Sequence, residues 1–159
     1  REHARPDRPV PVRAVADTHM AADGGLATTD WPADGCQAML PALSLRRALG
    51  NLLENAMRHG SAGPVELVCV RCVPGHGSLQ LGVLDRGPGI PPDRMEAVFQ
   101  PFLRLEPSRS PTTGGSGLGL AIVRQLADAH GWTVQLLPRP GGGLAAWLHI
   151  PGCLHLSQN

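Results

Sequence analysis

The 159-residue chain has no lysine and no tyrosine, and all 14 of its basic residues are arginine. A Walker-type phosphate loop places a lysine on the β- and γ-phosphates, so that class of nucleotide site is excluded. Kinase chemistry built on a strand lysine, Schiff-base chemistry and pyridoxal enzymes are excluded with it. Aromatic residues are scarce, with three Trp and two Phe. The formal net charge is only +1, so no nucleic-acid footprint and no polybasic membrane patch is implied. No apolar run nears the roughly 20 residues of a membrane span. The opening REHARPDRP lacks the apolar stretch of a signal peptide. A first residue other than Met suggests a piece excised from a longer protein.

Apolar residues make up 42% and charged residues 17%, which fits one folded domain with its own core. Gly 20 and Pro 16 are high enough to expect several functional loops. The four cysteines are Cys36, Cys69, Cys72 and Cys153. Cys69 and Cys72 lie three apart in a Val-rich segment that reads as a strand, so they point to opposite faces. Shared zinc or redox chemistry is then geometrically poor, and core thiols in a reducing compartment are the expectation.

Residues 1–9 read as a linker, 10–152 as the domain and 153–159 as a tail. Helical spacing predicts a helix over 11–22, stopped by Gly24 and Gly25. Short strands are expected at 26–31 and 36–40. The strongest helix spans 44–59 and ends at Gly60. Strands 65–73 and 78–85 read as a hairpin, followed by a short helix over 92–99 with Pro near its start. A long polar loop, LRLEPSRSPTTGGS, covers 103–116. Loops of this length inside a compact domain are functional or mobile. A helix over 117–130 and strands 132–137 and 144–150 close the domain. The helices are grouped rather than alternating with strands. That predicts an α+β two-layer sandwich, with a mixed, mostly antiparallel sheet of five to six strands packed on three helices.

Three stretches carry the chemistry. In RRALGNLLENAMRHG, residues 45, 48, 49, 52, 53 and 56 form one apolar face, while Asn51, Asn55 and Arg58 share a second stripe. Amide oxygens can ligate Mg²⁺ and a guanidinium can meet phosphate oxygens. A solvated helix face is the plainer alternative. In VLDRGPGIPP, an apolar strand ends in Asp85, followed by Gly87 and Gly89. A carboxylate there can accept from an exocyclic amine, and glycines let a flat ring approach. An ordinary turn reads the same way. In GGSGLGLAIV, Gly115, Gly117 and Gly119 run into a helix whose bare amides suit an anion. A dinucleotide fingerprint needs a strand just before the glycines, and the polar loop occupies that place.

Taken together and in this order, the stretches resemble the N, G1, F and G2 boxes of the histidine-kinase catalytic domain, in the GHKL (Bergerat) ATPase superfamily. The resemblance runs from about Val10 to Pro151. FQPFLRL and GSGLGLAIVRQLADAHG look most like the EnvZ-type osmosensor subfamily. It implies ATP and Mg²⁺ as cofactors. Asn55 would ligate Mg²⁺, Asn51 would support it, Arg58 would hold phosphate oxygens and His59 would flank the nucleotide. Asp85 would accept from the adenine amine, with Gly87, Gly89 and Ile90 shaping the ring site. Phe99 and Phe102 would anchor a lid over 103–116, with hinge packing the plainer role for both. Arg104 or Arg109 could reach the γ-phosphate. Gly115, Gly117, Leu118 and Gly119 would shape the phosphate end.

Hydrolytic members of the superfamily resemble this helix but carry a Glu four residues before the Mg-binding Asn. Here that position is Asn51, and Glu54 lies about 100° round the helix from Asn55. Transfer to a nucleophile other than water is therefore expected. In the family that nucleophile is a histidine on a separate dimerisation domain, which then passes the phosphoryl group to a response regulator. None of the seven histidines sits in a phosphoacceptor pattern, so the chain is expected to bind ATP without phosphorylating itself. His59 and His130 read as helix-end residues. The resemblance further implies a monomeric, cytoplasmic fragment whose parent is a homodimer in the bacterial inner membrane. An anti-sigma-factor serine kinase and a degenerate nucleotide-binding module are the alternatives.

Overall fold

Helix α2 (Ala42–His59) buries the face that its periodicity predicts: Leu45, Ala48, Leu49, Leu52, Leu53 and Ala56. It starts two residues before the expected Ser44, directly after Pro41, whose carbonyl accepts from the Leu45 amide at 3.0 Å. Ser44 therefore lies inside the first turn. Its hydroxyl bonds His130 Nε2 at 2.8 Å, a tertiary contact between two helices. The computed structural model describes residues 9–20, 26–29, 37–59, 64–72, 77–100 and 119–152. The expected linker (but for Pro9), the tail and the loop over 103–116 lie outside the described residues.

The remaining elements are β1 (Val10–Pro11), α1 (Val12–Met20), β2 (Leu26–Thr29), β3 (Gln37–Ala38), β4 (Val65–Cys72), β5 (Ser78–Leu84), α3 (Gly119–His130), β6 (Thr133–Pro138) and β7 (Leu144–Pro151). Five strands form one sheet in the order β2-β4-β5-β7-β6. The β2–β4 pair is parallel and the others are antiparallel, which is the mixed sheet expected. β1 and β3 stand apart as a two-stranded antiparallel ribbon. The strand expected over 36–40 is thus shorter and joins this ribbon rather than the main sheet.

Register aligns the apolar positions into rows. Cys69 faces Leu81, Leu81 faces Leu148, and Leu148 faces Val134. All four are buried, so Cys69 is the core thiol predicted. On the opposite face Gly82 pairs with Trp147. A Cβ on Gly82 would stand 2.7 Å from the indole ring, so the bare strand position is what admits the Trp. The helices cover one face: α2 packs on β4 and β5, and α1 and α3 pack on α2.

The single short helix expected over 92–99 is instead two separate 3₁₀ turns, Pro92–Arg94 and Ala97–Phe99. Their bonds run three residues back, from Arg94 to Pro91 at 2.8 Å and from Gln100 to Ala97 at 3.0 Å. A tight turn of this kind delivers Phe99 into the core without extending a helix toward the lid segment.

Candidate functional site

Two stretches of chain converge at the middle of α2. Asn51 is half-buried there, and its Nδ2 donates to the Arg47 backbone carbonyl at 2.9 Å. The bond orients the amide and leaves Oδ1 as an acceptor beside the start of α3. A Cβ on Gly119, the first residue of α3, would lie 3.5 Å from that Oδ1. The N-terminal turn of α3 is therefore packed beside the Asn51 amide. An open hollow alongside is lined by Arg46, Arg47, Gly50, Asn51 and Glu54.

Asn55 lies one turn on, half-buried, and bonds to no other described side chain. Arg58 is engaged by Glu54 at 2.7 Å across one helical turn. The helical angle takes Glu54 away from Asn55, as expected, but its carboxylate swings to Arg58. Arg58 therefore has to leave or share this pair before it can meet a phosphate. The pair is mostly exposed, and surface pairs of this kind are weak. His59 is exposed at the helix end.

Asp85 is the most deeply buried acid among the described residues, with 3% exposure. It follows β5 directly, and its backbone amide donates to the Leu144 carbonyl at 2.9 Å, extending the β5–β7 ladder by one residue. Two backbone amides reach the same carboxylate oxygen: Gly87 at 2.9 Å and Leu144 at 3.2 Å, both to Oδ1. Oδ2 has no partner among the described residues. No described side-chain oxygen is both fully buried and unpartnered, so Oδ2 keeps some access to solvent, and an incoming ligand could donate to it. Gly89 adopts φ 74°, the left-handed region, and a side chain there would press on the Gly143 carbonyl at 3.3 Å. Ile90 is half-buried against the core.

A third cluster joins the 3₁₀ turns to α3. Arg124 on α3 donates to both oxygens of Glu96, at 2.7 and 3.4 Å. The same guanidinium lies over the Phe99 ring, 4.0 Å from its centroid. Arg124 holds the Glu96 carboxyl below its ordinary value, and Glu96 in turn raises Arg124. Phe99 is buried in the core. His130 is structural, bonded to Ser44 and 5.0 Å from the Trp132 ring.

Of the site residues read from sequence, Phe102, Arg104, Arg109, Gly115, Gly117 and Leu118 lie outside the described residues. Asn51 and Gly119 are brought together, and Asp85, Gly87 and Gly89 form one loop. Sequence reasoning missed Glu96, Arg124, Arg86 and Arg139. The arginines left no signal in periodicity, because their partners lie tens of residues away. No group of three or more His, Cys, Asp or Glu that could hold a metal occurs among the described residues. The oxygen ligands for a divalent ion would be the neutral amides of Asn51 and Asn55. Those fit Mg²⁺ when phosphates supply the opposing charge. No helix among the described residues is long and apolar enough to cross a membrane.

Comparison with known proteins follows the same geometry. Residues 41–153 match the family described as histidine kinase-, DNA gyrase B-, and HSP90-like ATPase. The sensor-like histidine kinase SenX3 of Mycolicibacterium smegmatis is 38% identical over 140 residues, covering 87% of this chain and 36% of that protein. The histidine kinase domain of the Escherichia coli osmosensor EnvZ is similar at TM-score 0.67 and 29% identity, covering 100% of this chain and 97% of that one. Full-length ShkA in complex with AMPPNP is similar at TM-score 0.70 and 28% identity, covering 94% of this chain and 32% of that one. The chain spans between 21% and 36% of the length of the curated relatives it matches.

Proposed function

The chain belongs to the histidine kinase-, DNA gyrase B- and HSP90-like ATPase family, and on that premise we propose that it is the catalytic module of a sensor kinase. It binds Mg-ATP and donates the γ-phosphate to a histidine on a separate dimerisation domain of the same parent protein. That histidine then supplies a response regulator. The parent is a homodimer anchored in the bacterial inner membrane, with this module on the cytoplasmic side.

One observation carries the reading: Asp85 is buried, with Oδ1 filled by two backbone amides and Oδ2 left to accept. An adenine amine is the donor that suits it. A relative of the same fold was solved with an ATP analogue, which supports nucleotide as the ligand class.

Asn55 and Asn51 would hold Mg²⁺ through their amide oxygens, and the ion would neutralise phosphate charge during transfer. Arg58, released from Glu54, would reach phosphate oxygens. Arg104 or Arg109 and the glycines at 115, 117 and 119, with Leu118, would close on the γ-phosphate end. Catalysis is mainly positioning, since the attacking nitrogen comes from another domain. Asn51 stands where a water-activating acid would be needed, and an amide cannot accept a proton at neutral pH. Transfer is therefore favoured over hydrolysis.

Calorimetry with Mg-AMPPNP tests binding: the wild-type chain takes up one equivalent, and Asp85→Asn and Asn55→Ala each abolish or sharply weaken uptake. Incubation with γ-labelled ATP and a histidine-bearing dimerisation domain tests transfer. Acid-labile label should appear on the added domain and not on this chain. Stoichiometric label on the isolated chain would refute the assignment.

A further inference from the structure

The turn between β6 and β7 and the loop after β5 are tied together by two arginines that cross in opposite directions. Arg139, from the turn, is buried at 8% exposure. Its NH1 donates to the Asp85 backbone carbonyl at 3.2 Å, and its NH2 pairs with Glu66 Oε2 on β4 at 3.1 Å. Arg86, the neighbour of Asp85, reaches back. Its NH1 donates to the Pro140 carbonyl at 3.0 Å and to the Gly142 carbonyl at 3.3 Å. Gly143 sits at φ 111°, and a Cβ there would overlap the Asp85 carbonyl oxygen.

None of these side-chain bonds is needed to close the turn. The turn has its own backbone bonds, from Arg139 to Gly143 and from Gly142 to Arg139, each 3.0 Å. Burying a guanidinium is unfavourable unless its fork is well satisfied. Here one nitrogen of the fork is spent on Glu66 and another on the backbone of Asp85, whose carboxylate is the candidate base acceptor. The Leu144 amide, first in β7 after the same turn, holds Oδ1 of that carboxylate. Backbone carbonyl and side-chain oxygen of Asp85 are thus both fixed from residues 139–144.

We infer that Arg139 is a positioning residue for base recognition, acting through Asp85, with Glu66 behind it and Arg86 locking the turn from the other side. The inference rests on the reading of Asp85 as the acceptor for the base amine. The planar fork spans Glu66 and the Asp85 carbonyl at once; a lysine ammonium is a point charge on a flexible stem and does not reproduce that geometry. The consequence is selective. Loosening the clamp should cost the contact to the base and spare the contacts to the triphosphate.

The test is equilibrium competition on the 159-residue chain with Mg-ATP and Mg-ITP, which share a triphosphate and differ at the 6-amino group. The wild type should prefer ATP. Arg139→Met keeps the packed stem, and should weaken ATP about tenfold, the worth of one charge-assisted hydrogen bond. It should leave ITP unchanged, so that the preference collapses. Arg139→Lys should not restore it. Equal losses for both nucleotides with a lowered Tm would mean a merely structural role and would overturn the inference, as would an unchanged preference. If Arg139→Met does not fold, Arg86→Ala decides, since Arg86 is exposed and its loss leaves the core intact. It should lower the preference by a smaller factor, and equal or no losses overturn the inference. Absence of any ATP preference in the wild type, or an Asp85→Asn variant that binds like it, sinks the base reading and this inference together. Weak binding by Asp85→Asn beside normal selectivity in Arg139→Met sinks this inference alone.

Discussion

Asn51 and Gly119 stand side by side although the second half of α2, a hairpin and the whole segment over 103–116 lie between them in sequence. A Cβ on Gly119 would lie 3.5 Å from Asn51 Oδ1, an ordinary contact distance with no slack behind it. The amide helix and the glycine-rich helix start therefore share one wall of the candidate phosphate site.

Gly119→Ala should fold normally, with a Tm equal to or above that of wild type, because Ala fits the contact and favours the helix. Gly119→Val branches into the Asn51 amide and should destabilise by about 1–3 kcal/mol, the usual range for overpacking. Chemical denaturation of both variants checks the pair.

Asn51→Glu supplies the carboxylate that a water-activating site needs and gives up the Nδ2 bond to the Arg47 carbonyl. ATPase turnover should rise by on the order of tenfold or more, at the low end of general-base effects or just below them. A coupled phosphate-release assay reads it. No gain would count against transfer as the reason for the amide.

Gly82→Ala places a methyl 2.7 Å from the Trp147 ring at the centre of the sheet. The ring has to shift, and the variant should lose about 1–3 kcal/mol of stability. Indole fluorescence should change with it. Nucleotide selectivity should not, because Gly82 lies on the face away from the helices.

The Glu96–Arg124 pair makes a pH-dependent contribution to stability. The Glu96 carboxyl titrates below its ordinary 4.5 in the folded chain. Its contribution is therefore present in full above about pH 4.5 and is lost as pH falls through the lower folded value. Glu96→Gln should lower Tm slightly at pH 7, and the gap to wild type should begin to narrow below about pH 4.5 and close once pH passes the lower folded value. A gap that persists into stronger acid would assign the effect to packing on Phe99.

Much of this architecture was legible in the residues, and what was not has a common cause. The apolar face of α2, the β4–β5 hairpin and the strand pair closing the domain are local patterns of period 3.6 or 2, and they read correctly. The parallel partnership of β2 with β4 was not readable, because a strand four residues long carries no mark of its neighbour. The helix expected to begin at Ser44 begins at Ala42, and the Ser44 hydroxyl is bound to His130, a tertiary contact that no local pattern announces. The site divides the same way. Asp85 and the asparagines were singled out because their stretches, taken together and in order, resemble the boxes of one family. Arg139 and Arg124 were passed over because an isolated arginine in a turn or on a helix reads as surface charge until its distant partner is known.

The strand order puts β5 in the middle of the main sheet, with a ladder on each side. Its amides should be among the slowest in the molecule to exchange with deuterium, opening only when the whole domain does. Asp85 follows that strand directly and shares one of its ladders. The candidate base end of the site would then hang from the most persistent part of the fold, so fraying at the outer strands should leave it undisturbed.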